Sequence, residues 1–363
     1  MKKLLNILFV STQGIYLRQE GETVVVELER EVKLRLPIHT LSGIVCFGNV
    51  MCSPFLLGLC SERGVHVSFL TEHGRFLARV TGPVSGNVLL RREQFRAVDD
   101  VIRASSIARN MVMGKILNSR SVLQRRLRDH GEDATVANAV ARMARVATEL
   151  RDVTDINVIR GLEGEAANLY FGAFDQLIVA QKTQFVFRTR SRRPPLDPVN
   201  ALISFLYTLL VHDCEGALET VGLDPQMGFL HAPRPGRPSL ALDLMEEFRA
   251  ILADRVALSL INLNQISARD FTQSESGAVT MKEDARKLLL TTWQKKKQEE
   301  ITHPFLNEKI SVGLLPYTQA LLLARHLRGD LDAYPPSLVR HIRASADRHL
   351  RGDLDAYPPF LLK

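Results

Sequence analysis

The residues best suited to chemistry lie between Met227 and Arg249, in the stretch MGFLHAPRPGRPSLALDLMEEFR. One imidazole, His231, precedes a loop stiffened by Pro233, Pro235 and Pro238, and two acids, Asp243 and Glu246, follow it. Each proline lacks an amide donor and biases its predecessor toward extended backbone, so a helix can begin only after the loop. Ser239 is then the predicted N-cap, with Leu240, Leu244, Phe248 and Ile251 at helical spacing as the buried stripe. Asp243 and Glu246 stand three apart and share a face. An imidazole and two carboxylates brought together by a tight turn suit a divalent ion that accepts oxygen and nitrogen, such as Mn2+ or Mg2+. A plainer role is open to the same residues: a lone histidine near a helix start often only bonds backbone, and acids in a first turn complement the helix dipole.

A further carboxylate comes from upstream. Asp155 is placed to cap a helix whose Val158, Ile159, Leu162, Ala166, Leu169, Ala173 and Leu177 form an inward stripe. Glu163 lies beside that stripe in GLEGEAANLYF, with Ala167 and Tyr170 on its face and Gly161 and Gly164 flanking it. Glycines weaken a helix, so two of them mark a place that something approaches closely. Glu163 therefore reads as a partly buried carboxylate in need of a cation, with Arg160 or another basic neighbour as the alternative partner, whereas Glu165 faces water. Downstream, Arg188, Arg190, Arg192 and Arg193 crowd a loop ending at Pro194 and Pro195. They read as a mobile basic arm for phosphates or as a surface linker, and Arg234 and Arg237 join them as candidate DNA contacts. Asp197 and Pro198 then open a helix that buries Leu202, Phe205, Leu206 and Leu209.

These elements sit in a chain of 363 residues, 45% hydrophobic and 24% charged, enough for two packed domains and incompatible with general disorder. A net charge of +7 favours an anionic partner, nucleic acid or a membrane surface. Cys46, Cys52, Cys60 and Cys214 show neither zinc nor disulfide spacing, which points to a reducing, cytoplasmic setting. The apolar run in MKKLLNILFV is brief and reads as a first strand, and no uninterrupted apolar run is long enough for a bilayer, so a soluble protein without a membrane partner is expected.

The predicted fold class is α+β: an N-terminal β-rich domain over residues 1–90, a larger all-α catalytic domain over 91–345, and a tail over 346–363. LLNILFV, GIYLR, TVVVELE and VKLRL are predicted strands; Ser53 and Pro54 start a short helix, and VHVSFL with RFLARV make a hairpin. From Val101 to Arg151 the period is helical with a break at His130–Asp133, and Arg120, Arg125, Arg126, Arg128, Arg142 and Arg145 form either a solvated face or a phosphate track. Residues 250–325 read as helical, with Trp293 and Lys295, Lys296 and Lys297 at a solvated helix end or touching nucleic acid. RHLRGDLDAYPP occurs at Arg325–Pro336 and again at Arg348–Pro359, and two copies are too few for a solenoid.

GLEGEAANLYF, DPVNALISFLYTLL and GFLHAPRPGRPSLALDLMEEFR, in this order, resemble the CRISPR-associated adaptation nuclease-integrase, the universal first protein of spacer acquisition. The likeness extends over nearly the whole chain, takes in GNVLLRREQFRA at the domain boundary, and is closest to the version accompanying type I-C systems. It implies a metal-dependent DNA endonuclease and integrase that inserts short prespacer duplexes into the CRISPR repeat by attack of a 3′-hydroxyl. It also implies a homodimer, two of which flank a dimer of the small second CRISPR-associated adaptation protein in a heterohexamer. By motif, Glu163, His231 and Glu246 become ligands of Mg2+ or Mn2+, with Asp243 a supporting acid; an acid/base role for His231 is the alternative. Two rival functions are a non-catalytic DNA-binding scaffold and a metal hydrolase of a small substrate. The duplicated tail departs from the family, which carries one such segment, and leaves open which copy docks.

Overall fold

The computed structural model describes residues 6–72, 74, 76–80, 82, 88–303 and 305–337. The tail expected over 346–363 and the second repeat copy lie outside the described residues. The chain opens with β1 (Asn6–Val10), β2 (Tyr16–Glu20), β3 (Thr23–Leu28), β4 (Glu31–Pro37), β5 (Leu41–Phe47) and β6 (Met51–Cys52). Helix α1 (Pro54–Glu62) follows, capped by Ser53, whose hydroxyl accepts from Leu56 N at 3.2 Å; then come β7 (His66–Leu70) and β8 (Phe76–Val80). One sheet runs β4-β3-β2-β6, an antiparallel meander with β6 added parallel to β2. The other runs β1-β5-β7-β8, its first three strands parallel and its last pair the expected hairpin. Strand β5, LSGIVCF, has apolar residues on both faces because both are covered. Ile44 and Cys46 join Leu17, Val24, Leu56 and Val67 in the core of the β domain, while Val45 and Phe47 join the helical core. No alternation signals such a strand.

The remainder is α2 (Val88–Asp99), α3 (Val101–His130), α4 (Ala134–Leu150), α5 (Ile156–Gly172), α6 (Pro198–Val221), α7 (Ser239–Met245), a π-helical turn (Arg249–Asp254) and α8 (Arg255–Asn262). Then follow β9 (Phe271–Gln273), β10 (Val279–Met281), α9 (Glu283–Gln298), β11 (Glu300–Thr302), β12 (Lys309–Ser311) and α10 (Leu315–Leu327). The starts of α3 to α6 obey one local rule: Asp100, Asp133, Asp155 and Asp197 each accept from amides of the first turn. Gly131, with φ of 82°, makes the break before α4.

Four expectations need correction. Ser239 is the first residue of α7 and bonds no helix amide; its hydroxyl lies 3.2 Å from Arg237 Nε and 3.3 Å from the carbonyl of Ala232. Residues 250–325 are not uniformly helical, because the hairpins β9–β10 and β11–β12 interrupt them. Trp293 is fully buried and Lys297 donates to both oxygens of Asp213 at 2.8 Å, so neither of these two faces solvent or a ligand, whereas Lys295 is exposed as expected and Lys296 pairs with Glu299. Val158 is exposed, which leaves Ile159, Leu162, Ala166 and Leu169 as the stripe of α5. Helix α6 has the length and hydropathy of a membrane span, but Leu202, Ile203, Leu206, Leu210 and Leu218 are fully buried and Phe205 stacks on Phe47 of β5 at 5.7 Å. It is the central helix of the fold.

Candidate active site

Three distant segments meet at the junction of α3, α5 and α7. The GFLH loop is folded around one buried acid: Asp243 Oδ2 accepts from Phe229 N at 2.6 Å and Leu230 N at 2.9 Å, and Oδ1 accepts from His231 N at 2.9 Å. Gly228 is obligatory here, since a Cβ would lie 2.7 Å from Asp243 Oδ2 and from the carbonyl carbon of Ser239. The same Oδ1 takes a bond of 2.5 Å from His231 Nδ1, and because a carboxylate only accepts, the ring donates there. In the neutral ring Nε2 then keeps its lone pair, the arrangement that orients metal-binding or proton-accepting histidines. Asp243 is thus saturated and acts on His231, while the side chain of His231 remains 30% exposed.

Glu246 leaves α7 at its C-terminal end and is nearly fully buried. Its Oε1 pairs with Arg249 Nη2 at 3.0 Å and its Oε2 lies 2.7 Å from Lys115 Nζ of α3. The same ammonium pairs with Glu163 Oε1 of α5. Arg160, one turn before Glu163, donates to the carbonyl of Leu230 at 2.8 Å and ties α5 to the histidine loop. The partner of Glu163 is therefore Lys115 and not Arg160. Burial would raise the Glu246 carboxyl, yet Arg249 and Lys115 outweigh it and hold this acid below the usual carboxylate range.

Glu163 and Glu246 face one position that carries positive charge, the Lys115 ammonium, and the buried Glu246 Oε2 lies against it. Two carboxylates and a lone-pair imidazole nitrogen form a donor set that fits a divalent cation. Among the described residues, no three His, Cys, Asp or Glu side chains are arranged to hold a metal ion as they stand, because Lys115 sits between the two acids.

Comparison with known proteins decides the family. The sequence model described as "CRISPR associated protein Cas1" matches residues 8–295. The chain belongs to the Cas1 family. It is 57% identical over 343 residues to the CRISPR-associated endonuclease Cas1 1 of Chlorobaculum tepidum, covering 94% of this chain and all of that one. In fold it is similar to a casposase bound to an integration product, with TM-score 0.79 and 22% identity over 95% of this chain and 98% of the other. A chain of a Cas6-RT-Cas1–Cas2 complex is likewise similar, with TM-score 0.77 and 22% identity over 91% of this chain and 36% of that one. The β-rich start and helical remainder are the Cas1 fold.

Within this Cas1 fold the arginines divide by task. Arg190 is not part of a free arm: its guanidinium donates to Asn200 Oδ1 at 2.7 Å and Ser204 Oγ at 3.1 Å, and Asn200 Nδ2 donates to the carbonyl of Thr189 at 2.8 Å. The loop is pinned to α6, with Arg188, Arg192 and Arg193 exposed on it. Arg237 bonds back to Ala232 and Ser239, whereas Arg234 is exposed. On the helices, Arg120 and Arg126 donate to the carbonyls of Val140 and Gln176, and Arg125, Arg128 and Arg142 pair with Asp129 and Glu165. Arg145 is exposed.

Sequence reasoning missed Lys115, Glu247 and Asp254. Lys115 carried a signal: a lone charge inside the apolar run MVMGKIL is tolerated in a buried helix only with a partner. Glu247 and Asp254, both fully buried, had none that separates them from ordinary surface acids.

Proposed function

We propose that the chain is a metal-dependent DNA nuclease and integrase of CRISPR adaptation, joining short prespacer duplexes to the CRISPR repeat. The observation that carries this reading is the meeting of Glu163 and Glu246, from distant segments, at one cation-bearing point beside an imidazole fixed by Asp243. The naming of the 57% identical relative as an endonuclease supports the activity. The fold shared with a casposase bound to an integration product supports strand joining as the outcome. Glu163, Glu246 and His231 Nε2 are the groups to hold Mg2+ or Mn2+, which when bound lowers the pKa of an attacking hydroxyl and offsets charge on the phosphoryl group.

The chain's own residues do the rest. Asp243 fixes the imidazole, and Arg249 with Lys115 holds the buried Glu246 in its charged form. The exposed Arg188, Arg192, Arg193 and Arg234 attract the phosphate backbone. In the reaction a 3′-oxygen of the incoming DNA forms the new P–O bond, the bond to the 3′-oxygen of the repeat strand breaks, and the hydroxyl proton passes by way of water to that departing oxygen, His231 Nε2 being engaged as a ligand. The Cas2 named in the similar complex supports that small protein as a partner, and a homodimer, its heterohexamer with that partner and a cytoplasmic setting complete the proposal.

Glu163→Gln, His231→Ala and Glu246→Gln are each expected to lower Mn2+-dependent strand joining by about 10²-fold or more, with unchanged circular dichroism. Wild-type rates in all three variants would overturn the assignment.

A further inference from the structure

The acid after Glu246 faces away from the site into a closed cradle. Tyr334 OH donates to Glu247 Oε1, the amide of Ser337 donates to Oε2, and Gln319 Nε2 of α10 lies 3.2 Å from Oε2. Gln319 also reaches the Tyr334 hydroxyl and the Pro335 carbonyl, each at 2.9 Å. Asn118 of α3 grips both partners, donating to the carbonyl of Glu247 at 2.8 Å and of Ser337 at 2.6 Å. Asn110 adds a bond of 2.8 Å to the Tyr334 carbonyl. Gly114 makes room, since a Cβ there would lie 3.0 Å from Glu247 Oε2. Glu247, Gln319 and Ser337 are fully shielded from solvent, and Tyr334 and Asn118 nearly so.

Tyr334 and Pro335 belong to the first copy of RHLRGDLDAYPP, and Ser337 is the first residue after it. The second copy reproduces the tyrosine and both prolines but continues with Phe360. The slot around Ser337 is closed on a small side chain, whose hydroxyl is buried without a partner. A benzyl group has no room there.

We infer that Tyr334–Ser337 is a latch that positions the catalytic acid segment by holding Glu247, and that the first repeat copy alone serves, because Phe360 bars the second. The positioning part rests on the strand-joining function proposed above; the selectivity part does not.

Deleting residues 325–347 joins the second copy to α10 in the register of the first, changing the residue after YPP from Ser337 to Phe360. This variant is expected to melt about 5 °C or more below the full chain, and Phe360→Ser in the same background to restore the melting temperature. A deletion variant as stable as the full chain, or no rescue by Phe360→Ser, overturns the selectivity. In the full chain, Tyr334→Phe is expected to lower kcat for strand joining about tenfold with KM for DNA unchanged. Unchanged kcat, or a change in KM alone, overturns the positioning role. A wild-type chain that joins no strands sinks the preceding reading, while the melting comparison still decides which copy can dock.

Discussion

Asp243, Glu246 and Glu247 stand within one turn of each other and have three separate tasks. Asp243 folds the histidine loop, Glu246 faces the cation position, and Glu247 receives the C-terminal segment. Spacing alone offered Asp243 and Glu246 as equivalent members of one face. Lys115 is the residue that most sharply tests the charge balance, because its side chain is 11% exposed and compensates two carboxylates. Lys115→Met is expected to destabilise the fold by about 3 kcal/mol, as removal of one partner strands a buried charge. A divalent ion restores the lost positive charge, so Mn2+ is expected to raise the melting temperature more in Lys115→Met than in the wild type. Equal shifts in the two proteins would show that Lys115 and the ion do not share a position.

Among the elements, the π-helical turn after α7 carries the least ordinary backbone. It places Arg249 against Glu246 and ends in Asp254, which accepts from Tyr170 OH at 3.0 Å and Tyr207 OH at 2.9 Å. Arg190 and Arg249 both lie over the Tyr207 ring, at 5.3 and 4.8 Å. Burial pushes the Asp254 carboxyl up to about 6 from the ordinary 3.8, against the two tyrosine bonds. Between those values the native state holds a proton that the unfolded chain lacks, so the contribution of Asp254 to stability falls as pH rises through this window, by about 3 kcal/mol at most. Asp254→Asn removes the titration. The unfolding free energy of the wild type minus that of Asp254→Asn is therefore expected to decline from pH 4 to pH 6, and a flat difference would refute the assignment. The aspartate caps of α5 and α6 were legible because a cap is a contact between near neighbours. The role of Asp254 was not, since its partners come from α5 and α6.

At the scale of the whole molecule, the β domain and the helices share a core through Val45, Phe47 and Leu70, and buried pairs such as Lys297–Asp213 fix α9 to α6. Besides Arg145 on α4, what remains for a polyanion among the arginines singled out in the sequence is the exposed loop set Arg188, Arg192, Arg193 and Arg234, since most of the others are bonded to carbonyls or acids. Each phosphate neutralised contributes about 0.9 to the slope of log affinity against log salt concentration. Alanine at all four positions is expected to flatten that slope for duplex DNA by about 3 to 4, read from titrations between 50 and 200 mM salt. An unchanged slope would move the DNA path elsewhere.

From its sequence alone the chain disclosed its α+β class, the starts of α1, α5 and α6 and the break before α4, because capping, proline geometry and apolar periodicity act over a few residues. Three motifs in order carried the family likeness as well. Only the tertiary structure decided that Glu163 faces Lys115, that Arg190 of the basic loop is a tether, and that one repeat copy closes over Glu247. Those pairings are made where burial leaves a charge or a hydrogen-bonding group no water to turn to, and the partner that answers it is set by packing across the fold.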